Sequence, residues 1–230
     1  VSVDGNKYDY VIDCRGDPED YSDYIITDKV YLDSGIVVKS FTPGDWEYTY
    51  HIAHEHGWMF GIPLQKTTGW GYLWNSEVTS ELEAQSNLIN LLGEYQVEYF
   101  SEDCRQFKFK NYYAKSIVNE DGNIFVNGNR ALFLEPIQAT SLGCYGLING
   151  LIIDSIENKH YDHEKYTTVM DEVIKFINLH YYNGSNYNTP FWNRAQEGAR
   201  EVLNGINPEK YDWKYVIAVS YTHLRAHETR

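Results

Sequence analysis

The sequence predicts a mixed α/β chain of α+β character, with strands through its first half and helices through its second. Three observations carry this. Short β-branched and aromatic runs bounded by Gly, Pro, Asn or Asp recur as far as Val126. Apolar residues at helical spacing take over after Ser141. One helix with a clear start, Ser80-Glu-Leu-Glu83, interrupts the strands. At 230 residues and 43% hydrophobic content, the chain can bury a core of one large domain or one and a half ordinary ones.

Charge narrows the partners. Nineteen Lys and Arg face 33 Asp and Glu, a net charge of −14, so nucleic acid and anionic membrane surfaces are excluded as partners. No apolar run of 18 residues stands out, and the N-terminal Val-Ser-Val-Asp-Gly-Asn is not a signal peptide. It lacks an initiator Met, which predicts an N-terminally truncated piece of a longer protein. Cys14, Cys104 and Cys144 form no C-x-x-C, which predicts buried thiols in a reducing, cytoplasmic setting. Aromatics reach 16%, with 21 Tyr. They suit a half-buried sheet and equally the wall of a small aromatic substrate's pocket, and composition does not separate the two.

In chain order, Tyr8–Asp13 reads as a short strand broken by Cys14-Arg-Gly16. Strand-like pieces follow at Val30–Leu32, Ile36–Lys39 and Glu47–Ile52. Gly57–Gln65 and Trp70–Asn75 flank a Gly-containing turn and read as a hairpin. After the capping box, Ala84, Leu88, Leu91 and Leu92 form one apolar face that stops at Gly93. Strands are expected near Tyr95–Phe100, Phe107–Phe109, Ala114–Val118 and Ile124–Val126.

The stretch Gly128–Gly143 then joins a strand to a helix over Leu142–Ile153, with Thr140 or Ser141 expected as N-cap. Gly143, Gly146 and Gly150 leave one face of that helix bare. A helix start at the end of a strand offers unpaired N–H groups and the positive end of a dipole, suited to an anion or an electron-rich ring edge. The same stretch is also compatible with an ordinary strand–loop–helix joint. Val169, Met170, Val173, Ile174 and Ile177 mark an amphipathic helix, and Thr189-Pro190 opens a last one stopped by Gly205. From Val219 onward the chain turns polar without apolar period and reads as an artefactual, adapter-like tail.

His54-Glu-His56 and His160-Tyr-Asp-His163-Glu164 lack H-E-x-x-H spacing. His54 and His56 would share a face if both lay in a strand, but solvated histidines and no metal are expected. The sequence also lacks G-x-S-x-G, a P-loop and the G-x-G-x-x-G cradle for a dinucleotide pyrophosphate.

Four motifs, in order between about Tyr8 and Trp213, resemble the flavin-dependent tryptophan halogenases of the FAD-dependent monooxygenase superfamily. Asp13-Cys14-Arg15-Gly16 resembles their D-C-S-G, with Arg15 at the Ser position. Trp58, Phe60, Ile62 and Pro63 fall in a segment similar to G-W-x-W-x-I-P-L-Q, with Phe60 at the second Trp. Phe133–Ser141 resembles F-x-E-P-L-E-S-T-x, and Leu179-His-Tyr181 with Thr189-Pro-Phe-Trp192 resembles L-H-Y…T-P-F-W.

The resemblance implies part of a flavin monooxygenase-like fold. Residues 1–20 would hold the last strand of the FAD-binding domain and 21–127 a substrate-side, mostly antiparallel sheet. Residues 128–157 would carry the flavin- and halide-contacting loop and helix, and 158–218 the C-terminal helical region before the 219–230 tail. It also implies reduced FAD from a separate flavin reductase, chloride or bromide, and an indole, phenol or pyrrole as small aromatic substrate. Gly128, Leu134, Pro136 and Leu142 would contact the cofactor, Thr140 and Ser141 the halide through backbone N–H groups, and Tyr181, Tyr182 and Phe191 the substrate. Gln138 occupies the family's catalytic Glu position, while the family lysine lies in its N-terminal portion and has no counterpart here. A homodimer is left open. The alternatives are a flavin hydroxylase on the same scaffold and a non-catalytic flavin- or aromatic-binding protein.

Overall fold

The computed structural model describes residues 1–206, so the expectation of an artefactual tail lies outside the described residues. In chain order the strands are β1 Ser2–Val3, β2 Asn6–Lys7, β3 Val11–Asp13, β4 Tyr24–Ile26, β5 Ser34–Lys39, β6 Tyr50–His54, β7 Gly57–Pro63, β8 Thr68–Trp74, β9 Arg105–Lys108, β10 Tyr112–Ala114, β11 Ile124–Val126 and β12 Leu132–Phe133. The helices are α1 Glu81–Glu94, α2 Thr140–Asn158, α3 His163–Tyr182 and α4 Pro190–Val202. The result is the mixed α/β fold with mostly antiparallel pairing that the sequence predicts. Two compact units emerge, one built from residues 1–30 and 110–177, the other from 31–109 and 178–206.

The first unit holds a three-stranded antiparallel sheet in the order β12-β10-β4 and a parallel pair, β11 with β3. Phe125 pairs with Ile12 and is fully buried, while Ile12 is 47% exposed. Helix α2 packs Cys144, Ile148, Leu151 and Ile152 into the core, and Tyr166 of α3 donates its hydroxyl to the Ala114 carbonyl at 2.7 Å. The other side of α2 is open: Leu142 and Ile153 are exposed, and nothing lies within 4 Å of a Cβ built at Gly146 or Gly150.

The second unit is a five-stranded antiparallel sheet in the order β6-β7-β8-β5-β9. Period-two alternation sends Trp70, Tyr72 and Trp74 of β8 into a core shared with Met59, Ile36 and Val38. Helix α1 closes that core with Ala84, Leu88, Leu91 and Leu92. Its capping box is formed as expected, the Ser80 side chain accepting from the Glu83 N–H and the Glu83 carboxylate from the Ser80 N–H.

Several expectations are corrected. Val30–Leu32 forms no strand, and of Tyr95–Phe100 only Tyr99 bridges, to Ser40. Tyr99 lies beside the end of β5, where the Phe41 N–H donates to the Glu98 carbonyl at 3.0 Å and the Phe100 N–H to the Lys39 carbonyl at 2.9 Å. His54 ends β6 but His56 lies in the following turn, so the two share no strand face. Cys14 and Cys104 are exposed, and only Cys144 is a buried thiol, its pKa raised by burial to about 12. The stretch Ile137–Asn158 contains an 18-residue window of mean hydropathy 1.2 and is, by length and composition only, long and apolar enough to cross a membrane. The sequence reading missed it because glycines and polar residues break the run of apolar letters. Neither Thr140 nor Ser141 is the N-cap of α2: that position is Ala139, with no side-chain cap, because both hydroxyls are engaged elsewhere.

Candidate functional site

In the first unit the joint between β11 and α2 is held by side-chain amides. Asn127 accepts from the Gly128 N–H at 2.7 Å and donates to Asn149 at 2.7 Å and to the Tyr145 carbonyl at 3.1 Å. Tyr145 donates to the Asn129 side chain, and Tyr112 to the Asn129 carbonyl at 2.6 Å. Gly128 needs its glycine, since its φ is +60°. Cys14 is the nearest neighbour of a Cβ placed there, at 3.8 Å. Sequence reading missed this amide network; the run Asn127-Gly-Asn129 was its signal, because Asn side chains pair readily with local backbone.

Beside it, Arg15 forks onto Asp13 through two 2.9 Å bonds, and Arg130 reaches the same carboxylate at 3.3 Å. The hydrogen bond from Arg15 is the largest cause holding the Asp13 carboxyl down at about 2. A cleft of about 670 Å³ opens next to this pair, lined by Asp13, Asp23, Tyr24, Ile124, Val126 and Arg130 among others. Its lining contains none of the predicted site residues.

The predicted flavin- and halide-facing residues form a tight loop. Leu134 is buried, Pro136 stands at φ −78°, and a 3-10 turn over Ile137–Ala139 leads into α2. Gln138 and Ala139 both take left-handed backbone, at φ +54° and +52°. Such residues are uncommon outside glycine and concentrate where a site demands them. The Thr140 hydroxyl donates to the Ile137 carbonyl at 2.6 Å. The Ser141 hydroxyl accepts from the Leu134 N–H at 2.9 Å and donates to the Leu134 carbonyl at 3.0 Å. The start of α2 has no side-chain cap, and the Thr140 N–H donates to the Ile137 carbonyl of the turn before it. Gln138 is 8% exposed and its Oε1 is buried without a hydrogen-bond partner. Leu142, by contrast, is 69% exposed.

In the second unit Trp58 of β7 meets Tyr181 at the end of α3. The Trp58 indole N–H donates to the Tyr181 hydroxyl at 3.0 Å, both side chains buried. Tyr31 stacks edge-on to Phe191, with ring centres 5.1 Å apart. Phe191 is fully buried and Tyr182 half-buried. Phe60 lies over Gly71, where a Cβ would come within 2.3 Å of its ring, while Ile62 is exposed and Pro63 half-buried. The turn before β7 is clamped at three successive carbonyls. Trp192 donates to that of His54 at 2.7 Å, Thr189 to that of Glu55 at 2.7 Å, and Thr79 to that of His56 at 3.0 Å. Burial lowers the pKa of His54, which favours the neutral ring.

Chemically, the first unit offers hydrogen-bond donors at a helix start next to a buried, unsatisfied amide. The second offers packed aromatic side chains, of which Trp58, Tyr181 and Phe191 are buried.

Comparison with known proteins gives these features a context. The family model described as tryptophan halogenase matches residues 3–205. Tryptophan 7-halogenase RebH of Lentzea aerocolonigenes is 22% identical over 186 residues, 77% of this chain and 34% of that protein. Tryptophan 6-halogenase SttH of Streptomyces toxytricini is 25% identical over 181 residues, 73% of this chain and 32% of that one. The chain thus spans roughly a third of the length of these curated relatives. Among solved structures, BrvH, a flavin-dependent halogenase from Brevundimonas sp. BAL3, superposes with a TM-score of 0.65 at 22% identity, covering 82% of this chain and 41% of that one. Xcc4156, a flavin-dependent halogenase from Xanthomonas campestris, gives 0.65 at 20% identity, covering 92% and 48%. At these identities the structural likeness shows the shared fold.

Proposed function

The chain belongs to the tryptophan halogenase family, and from that premise we propose that it forms part of an FAD-dependent halogenase acting on an electron-rich arene: an indole, phenol or pyrrole. In this reading residues 21–127 carry the substrate-side sheet and 128–157 the flavin- and halide-facing loop and helix. The observation that carries it is the strained loop over Pro136–Ser141, which ends in an uncapped helix start beside the buried Gln138.

The loop suits the ring edge of a flavin, because it ends in a helix start with no side-chain cap, the positive end of a dipole, beside the buried Gln138 amide. A pyrophosphate cradle is not among these 230 residues. Reduced FAD, delivered by a flavin reductase, would supply the oxidising power once it has met oxygen. Thr140 and Ser141 belong to the turn proposed to hold chloride or bromide, with Gly128, Leu134, Pro136 and Leu142 against the ring. The Thr140 N–H already donates to the Ile137 carbonyl, which leaves Ser141 as the proposed backbone donor. Trp58, Phe60, Tyr181, Tyr182 and Phe191 would bind and orient the arene by aromatic contact and exclude water from it. Gln138, neutral at every working pH, would present a dipole where a carboxylate would present a charge.

The test is a bromination assay with FAD, a flavin reductase, bromide and indole, phenol and pyrrole substrates. It is run on this chain and on a longer polypeptide extended upstream. Brominated product from the extended polypeptide supports the reading. Hydroxylated product without bromine assigns the monooxygenase alternative, and flavin binding without turnover assigns a binding protein.

A further inference from the structure

We propose that Ser141 is a positioning residue: by holding both backbone groups of Leu134, its hydroxyl fixes the left-handed pair Gln138–Ala139 and so aims the N–H groups that open α2. The proposal rests on the reading above only for what those N–H groups face.

A serine hydroxyl has one proton to give and two lone pairs. Ser141 spends the proton on the Leu134 carbonyl at 3.0 Å and one lone pair on the Leu134 N–H at 2.9 Å. It thereby closes a ring of backbone around Glu135, Pro136, Ile137, Gln138, Ala139 and Thr140. Two further ties in this segment are local. The Ala139 N–H reaches the Pro136 carbonyl at 3.0 Å, and the Thr140 hydroxyl reaches the Ile137 carbonyl at 2.6 Å. Both span three residues, as any 3-10 turn would. The Ser141–Leu134 pair encloses the two left-handed residues from outside.

That pair needs enclosing. Neither Gln138 nor Ala139 is a glycine, yet both sit at φ above +50°, where a Cβ crowds the following carbonyl. The same loop keeps the Gln138 Oε1 buried and without a partner. A relaxed loop would swing that amide toward water. Two disfavoured backbone states and one unsatisfied acceptor therefore persist together, and one hydroxyl makes a pair of bonds that spans them all. The one proton of that hydroxyl is spent on the loop, so it has none to donate to a ligand, and Ser141 acts through the backbone it holds.

The test is NMR on the isotope-labelled 230-residue chain and its Ser141→Thr and Ser141→Ala variants. Wild type and Ser141→Thr, which both keep an Oγ, are expected to show the short HN–Hα distances of positive φ at Gln138 and Ala139 and a protected Leu134 amide. Ser141→Ala is expected to lose that signature and to exchange the Leu134 amide about a hundredfold faster, while amides of the five-stranded sheet stay unchanged. If the alanine variant does not fold, Ser141→Cys, a weak donor of similar size, replaces it with the same expectation. A positive-φ signature that survives loss of the hydroxyl overturns the proposal. Titration with sodium bromide separates it from the reading above. Amide shifts at Ser141 and Leu142 that saturate in wild type and weaken about tenfold in Ser141→Ala, with rescue by Thr, support both. No bromide response in wild type, with the signature still dependent on Ser141, overturns the halide reading and leaves the positioning role standing. A bromide response equal in wild type and Ser141→Ala, despite loss of the signature, overturns the positioning role.

Discussion

Trp58 and Tyr181 stand 123 positions apart in sequence, and the indole N–H of the first donates to the hydroxyl of the second at 3.0 Å with both side chains buried. A strand of the sheet and the end of α3 are thereby pinned together inside the second unit. Tyr181→Phe would leave a buried indole N–H unsatisfied, at a cost of about 1–3 kcal/mol. Trp58→Phe removes the donor and part of the ring, and should cost about 2–4 kcal/mol through lost packing as well. The double variant should lose about 1 kcal/mol less than the sum, since the bond can be lost only once. Urea unfolding of the four proteins checks this; strict additivity would mean the bond contributes nothing.

Asp13 and Arg15 make a pH-dependent pair. The Asp13 carboxyl is held at about 2, against an ordinary 3.8, first by the hydrogen bond from Arg15. A carboxylate with a depressed folded-state pKa adds stability that is present above its ordinary value and lost as pH falls through its folded value. Unfolding free energy should therefore decline between about pH 4 and pH 2 in wild type. Arg15→Ser should flatten that decline, and only partly, because Arg130 still reaches the same carboxylate at 3.3 Å. Thermal melts across acid buffers read the difference directly. Identical acid limbs for the two proteins would show that Arg15, whose side chain is 83% exposed, is screened out by solvent.

Two glycines that look alike in sequence should respond in opposite ways. A Cβ on Gly57 would stand 2.1 Å from the Leu73 carbonyl oxygen, a backbone atom of the neighbouring strand. Gly57→Ala should destabilise by more than about 2 kcal/mol, because β7 and β8 must part to admit it. A Cβ on Gly146 meets nothing within 4 Å, and its helix gains from the exchange. Gly146→Ala should stabilise by about 0.5–1 kcal/mol. Chemical denaturation of both variants decides the matter. A neutral Gly57→Ala would mean that the β7–β8 pairing is looser than the register implies.

What the sequence revealed, and what it hid, divides along physical lines. Ser80 and Thr189 were readable as caps because a cap is a local bond between near neighbours in sequence. The β7–β8 hairpin was readable from alternation and its turn. Thr140 and Ser141 deceived by the same rule: they have the right chemistry for an N-cap, but long-range demand from Leu134 and a local bond to Ile137 consumed both hydroxyls. The Trp58–Tyr181 bond was hidden for a related reason, since nothing within either motif names its partner. The left-handed pair Gln138–Ala139 was illegible because neither residue carries the glycine that ordinarily announces positive φ.

Gln138 carries the last prediction. It is buried at the edge of the α2 start, and its Oε1 has no partner. In the proposed reading this position faces the arene under attack, where positive charge builds on the ring. A carboxylate there would stabilise that charge strongly, since preorganised charge acts at low effective dielectric; the gain would be several kcal/mol, on the order of 3. An amide offers a dipole only, so the arene must bring its own activation. The expected substrate order is a phenol or pyrrole ahead of free tryptophan. In the polypeptide extended upstream, Gln138→Glu should raise tryptophan halogenation relative to the phenol, by about fivefold if a third of that stabilisation is recovered. The variant should also introduce an acid limb in kcat that the wild type lacks, because a buried carboxyl titrates above its ordinary range and is inactive when protonated. Competition assays with both arenes at several pH values measure both effects. Efficient tryptophan halogenation by the wild type, with Gln138→Glu neutral or harmful, would remove this residue from the chemistry and leave it as a strained element of the loop.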